Sequence, residues 1–246
     1  MSRTTVTDPP WMEWTYRDAS GKPIFQHYRK AINGGRKKRY GYRYPIDHSE
    51  ATGRVYAWEY RKHPLADTLL YRLPHLLANR RADLRWTEGE RDCEALVESF
   101  GVLATSHHGG AGKATPKQAE WLRGRKGRIF LVADRDPAGT YDVVRRYDLL
   151  RAVGIPKKRL RIVWPVPAFK GADARDHIEA GFGLDDFVPV KIDRLREEAA
   201  TVIPDRGSGN GSFPDWWVPQ EEWDLTPDEL EAFKSMPVRV EPRRKR

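Results

Sequence analysis

Between Leu84 and Gly181 the chain alternates short apolar runs with helical patterns. Leu84–Thr87, Val102–Thr105, Ile129–Ala133 and Arg161–Trp164 are runs of four or five residues that read as strands. Ile129–Ala133 is apolar throughout, as in a strand covered on both faces. Cys93, Leu96, Val97 and Phe100 fall at i, i+3, i+4 and i+7 and predict a helix over Glu90–Phe100. Thr115, followed by Pro116, is placed to cap a second helix reaching Leu122. Val143, Val144, Tyr147 and Leu150 form the apolar stripe of a third over Pro137–Val153, which Gly154 ends. A short fourth, Asp173–Ala180, stops at Gly181. This alternation predicts an α/β fold, a Rossmann-like parallel sheet with crossover helices.

The flanking regions have other textures. Residues 1–13 read as a flexible arm. Trp14–Tyr16, Pro23–Tyr28 and Val55–Tyr60 are strand-like and are broken by Asp18–Gly21 and Asn33-Gly34-Gly35. They predict a small antiparallel sheet within a β-rich subdomain over 14–83. Pro74 opens a short helix inside Leu69–Leu77. The α/β domain is expected to span 84–190. Residues 191–246 follow, with a helix over Lys191–Ala200, a Gly/Ser linker at Asp205–Ser212, the pair Trp216-Trp217, a capped helix from Thr226 and the tail Arg243–Arg246.

Charge adds a partner class to this outline. The formal net charge is +9, and residues 1–80 hold fifteen Lys/Arg against seven Asp/Glu. A basic field concentrated in one third of a chain suits a polyanion. Arg29, Lys30, Arg36, Lys37, Lys38, Arg39, Tyr40 and Arg43 interleave cations with aromatics, the composition that holds a single-stranded nucleic acid by phosphate neutralisation and stacking. A single cysteine, Cys93, excludes an internal disulfide and a cysteine-rich zinc site. The sequence shows neither a membrane-spanning apolar run nor a signal-peptide pattern, so a cytoplasmic protein is expected, in a bacterium or a phage-infected host.

In an open parallel sheet, ligands gather at the carboxyl ends of the strands. Glu88 follows the first predicted strand, and Asp134 and Asp136 follow the third. Alternate residues of an extended segment point the same way, so the two aspartates can face one site. Hard carboxylate oxygens in that arrangement suit Mg²⁺ or Mn²⁺, and metal held this way can orient the oxygens of a phosphoryl transfer. Gly89 and Gly139 leave space beside these acids. His107-His108 reads as structural, because adjacent residues on a strand end point apart. Gly109–Lys113 is glycine-rich, and Gly110, Gly112 and Lys113 are candidate phosphate contacts. It is not a Walker A loop, since Ala114 stands where Ser or Thr is required.

Thr87-Glu88-Gly89-Glu90-Arg91-Asp92 and Ala133-Asp134-Arg135-Asp136-Pro137-Ala138-Gly139 resemble the two motifs of the Toprim domain. That domain is shared by bacterial-type primases, type IA and type II topoisomerases and some nucleases. The Asp-x-Asp-x-Ala-Gly form is most similar to primases. Gly109–Lys113 looks like the glycine-rich loop of Toprim proteins from phages and mobile elements. Lys170-Gly171-Ala172-Asp173-Ala174-Arg175-Asp176 resembles a segment that follows the fourth strand in primase and primase–helicase versions. The resemblance implies Glu88 as ligand or acid/base, Asp134 and Asp136 as metal ligands, Asp173 or Asp176 as a further acidic contact, and Lys170 as a phosphate contact. Asp173 and Asp176 are also natural helix-start residues. The activity implied is DNA priming: nucleoside triphosphates joined on a single-stranded DNA template with Mg²⁺ or Mn²⁺ and no zinc. A separate helicase or zinc-module protein is an expected partner. A metal-dependent nuclease, or a nucleic-acid-binding replication accessory protein with an idle acidic site, are the alternatives.

Overall fold

Two sheets form in succession along the chain. The computed structural model describes residues 11–32, 37–49 and 55–202. The first sheet is antiparallel, in the order β1 (Trp11–Arg17), β2 (Pro23–Ile32), β3 (Lys37–His48) and β4 (Val55–Glu59). β1 starts inside the stretch expected to be an arm, because Trp11 and Met12 continue the two-residue alternation and pair with Lys30 and Arg29. Trp14 and Tyr16 point inward with Phe25 and His27 opposite them, and all four are buried. The intervening residues of β1 stay at least partly exposed. Arg36, the Asn33-Gly34-Gly35 break, residues 1–10, the linker, Trp216-Trp217, the Thr226 helix and the basic tail lie outside the described residues.

Short helix α1 (Leu73–Ala78) starts with Pro74 in its first turn. The second sheet then has the order β6-β5-β7-β8-β9, built from β5 (Leu84–Thr87), β6 (Leu103–Ser106), β7 (Ile129–Val132), β8 (Leu160–Trp164) and β9 (Val188–Val190). The first four are parallel; β9 is an antiparallel edge strand of three residues that the pattern did not announce. The helices are α2 (Glu90–Phe100), α3 (Pro116–Glu120), α4 (Pro137–Ala152), α5 (Ala174–Glu179) and α6 (Ile192–Val202). Thr115 caps α3 through a reciprocal capping box with Gln118, and αL Gly101 closes α2.

The chain leaves β5 toward β6, then crosses back over β5 to reach β7. Right-handed crossovers in opposite directions put α2 on one face and α3 and α4 on the other. Accordingly α2 packs with α5, and α4 packs with α3 and α6. The inner face of the first sheet lies on α2, and Trp14, Tyr16 and Phe25 share one core with Cys93 and Leu96. Each such aromatic, fully buried, contributes on the order of 2–3 kcal/mol. No helix among the described residues is long and apolar enough to cross a membrane.

Candidate functional site

The reversal between β6 and β7 makes the carboxyl ends of β5 and β7 the switch point of the sheet, where the backbone diverges and leaves a crevice. Glu88 leaves β5 there, and Asp134 and Asp136 leave β7. Asp136 caps α4, its Oδ1 accepting from the Gly139 amide at 2.7 Å. Gly139 is required by close approach: a Cβ there would lie 2.6 Å from the Asp134 carbonyl oxygen. Gly89 has no such contact; a Cβ would meet only Asp92 Oδ2, at 3.8 Å.

These acids press on one another. Burial raises the Glu88 carboxyl to about 8, with help from the charges of Asp142, Asp136 and Asp92 and against the opposing pull of Arg146. Burial, then Glu88, Asp92, Asp173 and Asp136, push Asp134 well above the usual range. Asp92 is raised by burial and by Asp173 and Asp176, and Asp173 to about 6, chiefly by burial. Six carboxylates from three strand ends thus share one electrostatic neighbourhood. No three His, Cys, Asp or Glu side chains among the described residues converge as a ready-made metal cage.

Asp92 was not singled out in the sequence. It is the last residue of the Glu-Gly-Glu-Arg-Asp motif, and an acid in a first helical turn reads as a partner for the helix dipole. In the fold it is buried, and its Oδ1 accepts from the Arg175 amide at 3.2 Å, tying α2 to the start of α5. Asp173 and Asp176 form the capping box of α5, with Asp173 Oδ1 accepting from the Asp176 amide at 2.8 Å and Asp176 Oδ2 from the Asp173 amide at 3.2 Å. Each uses one oxygen in that role.

Behind the crevice lies a compensated network that the sequence did not disclose. Asp142 and Arg146, one turn apart on α4, are fully buried and form an ion pair at 2.6 Å. Arg146 also donates to the carbonyls of Trp86 and, at 3.0 Å, Val132, the strand residues just ahead of Glu88 and Asp134. Asp142 Oδ1 accepts from the Gly112 amide at 2.9 Å and faces His107 Nε2 at 3.3 Å. The Trp86 indole donates to His107 Nδ1 at 3.3 Å, which leaves the proton on Nε2, and Nε2 lies 2.9 Å from the Gly110 carbonyl. Arg146 draws Asp142 well below the usual carboxylate range, against the upward push of burial, with His107 and the Gly112 amide adding to the effect.

The network changes the reading of the glycine-rich loop. Gly109, Gly110 and Gly112 all have positive φ, so the loop needs its glycines for conformation. The Gly112 amide is spent on Asp142 and the Lys113 amide donates to the Gly110 carbonyl at 3.3 Å, so neither is held out toward a phosphate. The Lys113 and Lys170 side chains are exposed. His107 and His108 are both buried and hydrogen-bonded within the protein; His108 Nδ1 lies 3.0 Å from the Tyr42 hydroxyl.

α2 joins the site to the first sheet through two acids on one face. Glu90 accepts from the Tyr16 hydroxyl at 2.8 Å and pairs with His27 at 2.7 Å. Glu94 accepts from the Trp14 indole at 2.9 Å and the Tyr71 hydroxyl at 2.8 Å. Burial raises Glu90, but the His27 and Tyr16 contacts outweigh it and the net shift is downward. The sheet also divides the basic set. Lys30 and Arg39 are exposed and directly opposite each other across β2 and β3. Arg43 lies over Trp58 at 4.1 Å and pairs with Glu13 at 2.5 Å. Arg29 is on the other face and only 4% exposed, so it does not join them. Tyr40 is 52% exposed, and Lys37 and Lys38 occupy β3 positions opposite Ile32 and Ala31.

No family model matches the sequence, and no curated protein matches it. Solved structures do. The DnaG catalytic core superposes with a TM-score of 0.54 at 17% identity over 79% of this chain and 58% of that one. A fragment of the Aquifex aeolicus primase comprising its zinc-binding and RNA polymerase domains gives 0.51 at 16% identity, over 82% of this chain and 43% of its own. The DnaG primase catalytic domain bound to single-stranded DNA gives 0.52 at 17%, over 73% and 54%. At these identities the likeness is one of fold: an antiparallel sheet followed by a mostly parallel five-stranded sheet, as in primase catalytic cores. The chain spans about half the length of the structures it matches.

Proposed function

We propose that the chain is a metal-dependent DNA primase of the Toprim type, as found in phages and mobile elements. It would join nucleoside triphosphates on a single-stranded DNA template, with Glu88, Asp134 and Asp136 as its catalytic carboxylates. The observation that carries this reading is a set of mutually repelling carboxylates at the switch point of a primase-core fold. The donor set fits a hard divalent cation. It is all oxygen, the Arg146 that draws Glu88 down is already paired with Asp142, and ionisation of the cluster is suppressed by burial and by its own charge. Mg²⁺ or Mn²⁺ held by Glu88, Asp134 and Asp136, with Asp92, Asp173 or Asp176 in support, would neutralise the triphosphate and the attacking 3′ oxygen.

The chain's own residues supply the positioning. Gly139 brings the start of α4 onto Asp134, and the Gly139 amide orients the Asp136 carboxylate. Arg146 holds the ends of β5 and β7 in register, so that Glu88 and Asp134 emerge side by side. Lys30 and Arg39 offer a cationic pair to template phosphates. A separate helicase or zinc-module protein would act with it.

Incubation with single-stranded DNA, Mg²⁺ or Mn²⁺ and labelled ribonucleoside triphosphates tests the proposal. New short products that vanish in Asp134→Asn support priming. A shortened template assigns the same carboxylates to hydrolysis. A shifted but unaltered template leaves a binding protein, and full activity in Asp134→Asn removes the metal-site assignment.

A further inference from the structure

A cavity of about 400 Å³ opens beside Asp136, walled by Arg135, Asp136, Thr140, Trp164, Arg194 and Glu198 among others. That volume suits a small-molecule ligand. Its walls combine several donors. Trp164 ends β8, is 8% exposed, and its buried indole N–H has no hydrogen-bond partner among the described residues. The guanidinium groups of Arg135 and Arg194 each stand 5.0 Å from the Trp164 ring centre. Arg135 Nε donates to the Pro165 carbonyl at 2.7 Å, which fixes the group, while its two terminal nitrogens have no hydrogen-bond partner among the described residues. Arg194 pairs with Glu198, one turn on along α6, at 2.8 Å. Pro137 and Thr140 belong to the first turn of the sixteen-residue α4, whose positive end faces the cavity.

A fork of two arginines beside a helix N-terminus recognises an anion. Asp136 on the same wall would repel a bare anion, so the ligand must bring a cation with it. We infer that this cavity seats the phosphate chain of a cation-bound nucleoside polyphosphate, with Arg135 and Arg194 clasping the end distant from the metal and the Trp164 ring holding the two guanidinium groups in place. The inference rests on the reading of Asp134 and Asp136 as a metal centre. It moves phosphate recognition away from the glycine-rich loop, two of whose amides are committed inside the protein.

Equilibrium dialysis of the full chain against labelled inorganic tripolyphosphate in Mg²⁺, without template, tests it. Arg135→Gln and Arg194→Gln should each weaken binding about tenfold or more, and Trp164→Phe by a smaller factor, with thermal melting confirming that each variant folds. Lys126→Gln, exposed ahead of β7 at the opposite end of the second sheet, should leave the affinity unchanged. Binding indifferent to Arg135 and Arg194, or lost equally in Lys126→Gln, overturns the inference. ATP and a 5′-triphosphorylated oligoribonucleotide, run in parallel, distinguish an incoming nucleotide from a primer end. Mn²⁺ uptake by the nucleotide-free chain, read by electron paramagnetic resonance, tests the acidic site on its own. Its absence counts against the proposed function. Normal Mn²⁺ uptake with tripolyphosphate binding indifferent to Arg135 removes only this inference.

Discussion

Two sets of carboxylates sit at the same end of the second sheet and behave in opposite ways. Asp142 is sealed in with Arg146 and His107, and its partners hold it ionised. Asp92 is buried and Glu88 and Asp134 are half-buried, but they face mainly other carboxylates and are pushed toward the protonated form. The contrast separates scaffold from site. A buried charge with its own counter-ion is finished, and its work is to set the positions of backbone strands. Crowded carboxylates without one hold electrostatic free energy that an opposite charge would release.

The largest effect expected from breaking this contrast is in the scaffold. Arg146→Leu leaves Asp142 buried and unpaired and should cost about 3–5 kcal/mol, read as a shift in the urea midpoint at constant slope. A loss below about 1 kcal/mol would mean that the pair is not a brace. Gly139→Ala comes next. Its Cβ would collide with the Asp134 backbone, so about 1–3 kcal/mol of destabilisation should accompany a loss of activity. Asp134→Asn should have the opposite sign in metal-free buffer, raising stability by roughly 1 kcal/mol, because it removes one repelling charge. Asp142→Asn should lower stability under the same conditions. Equal signs for these two would erase the distinction between scaffold and site.

The last effect is a pH dependence. Glu88 has its folded value raised to about 8 from the ordinary 4.5. Between those values the folded protein keeps a proton that the unfolded chain has released, so this contribution to stability is full below about pH 4.5 and is lost as pH rises through about 8. In metal-free buffer, the stability of Glu88→Gln relative to the wild type should therefore climb across that window. Added Mg²⁺ should restore the wild type but not the variant. A flat difference would show that Glu88 is not strained.

The four parallel strands of the second sheet and the helices between them were legible because each carries its pattern in its own residues. Val143, Tyr147 and Leu150 mark a face of α4 wherever that helix packs. β9 was not legible: three residues, Val188-Pro189-Val190, carry too little pattern, and only pairing with β8 makes them a strand. Asp142, Arg145 and Arg146 lie outside the apolar stripe of α4, yet the fold buries all three. Glu88, Asp134 and Asp136 were legible as acids that follow strand ends, because the apolar runs mark where β5 and β7 stop. Asp92 was hidden by its resemblance to an ordinary first-turn acid.

By itself, the sequence determined the order of strands and helices, the acids that leave the strand ends and the concentration of positive charge near the N-terminus. All three depend on neighbours in the chain, through backbone periodicity and composition. Only the tertiary structure decided which charges are cancelled. It set Arg146 against Asp142, put Arg29 and Lys30 on opposite faces of one sheet, committed two amides of the glycine-rich loop to the interior and gathered Arg135, Trp164 and Arg194 around a cavity. Compensation of charge is a matter of distance and burial between residues far apart in sequence, and neither exists until the chain has folded.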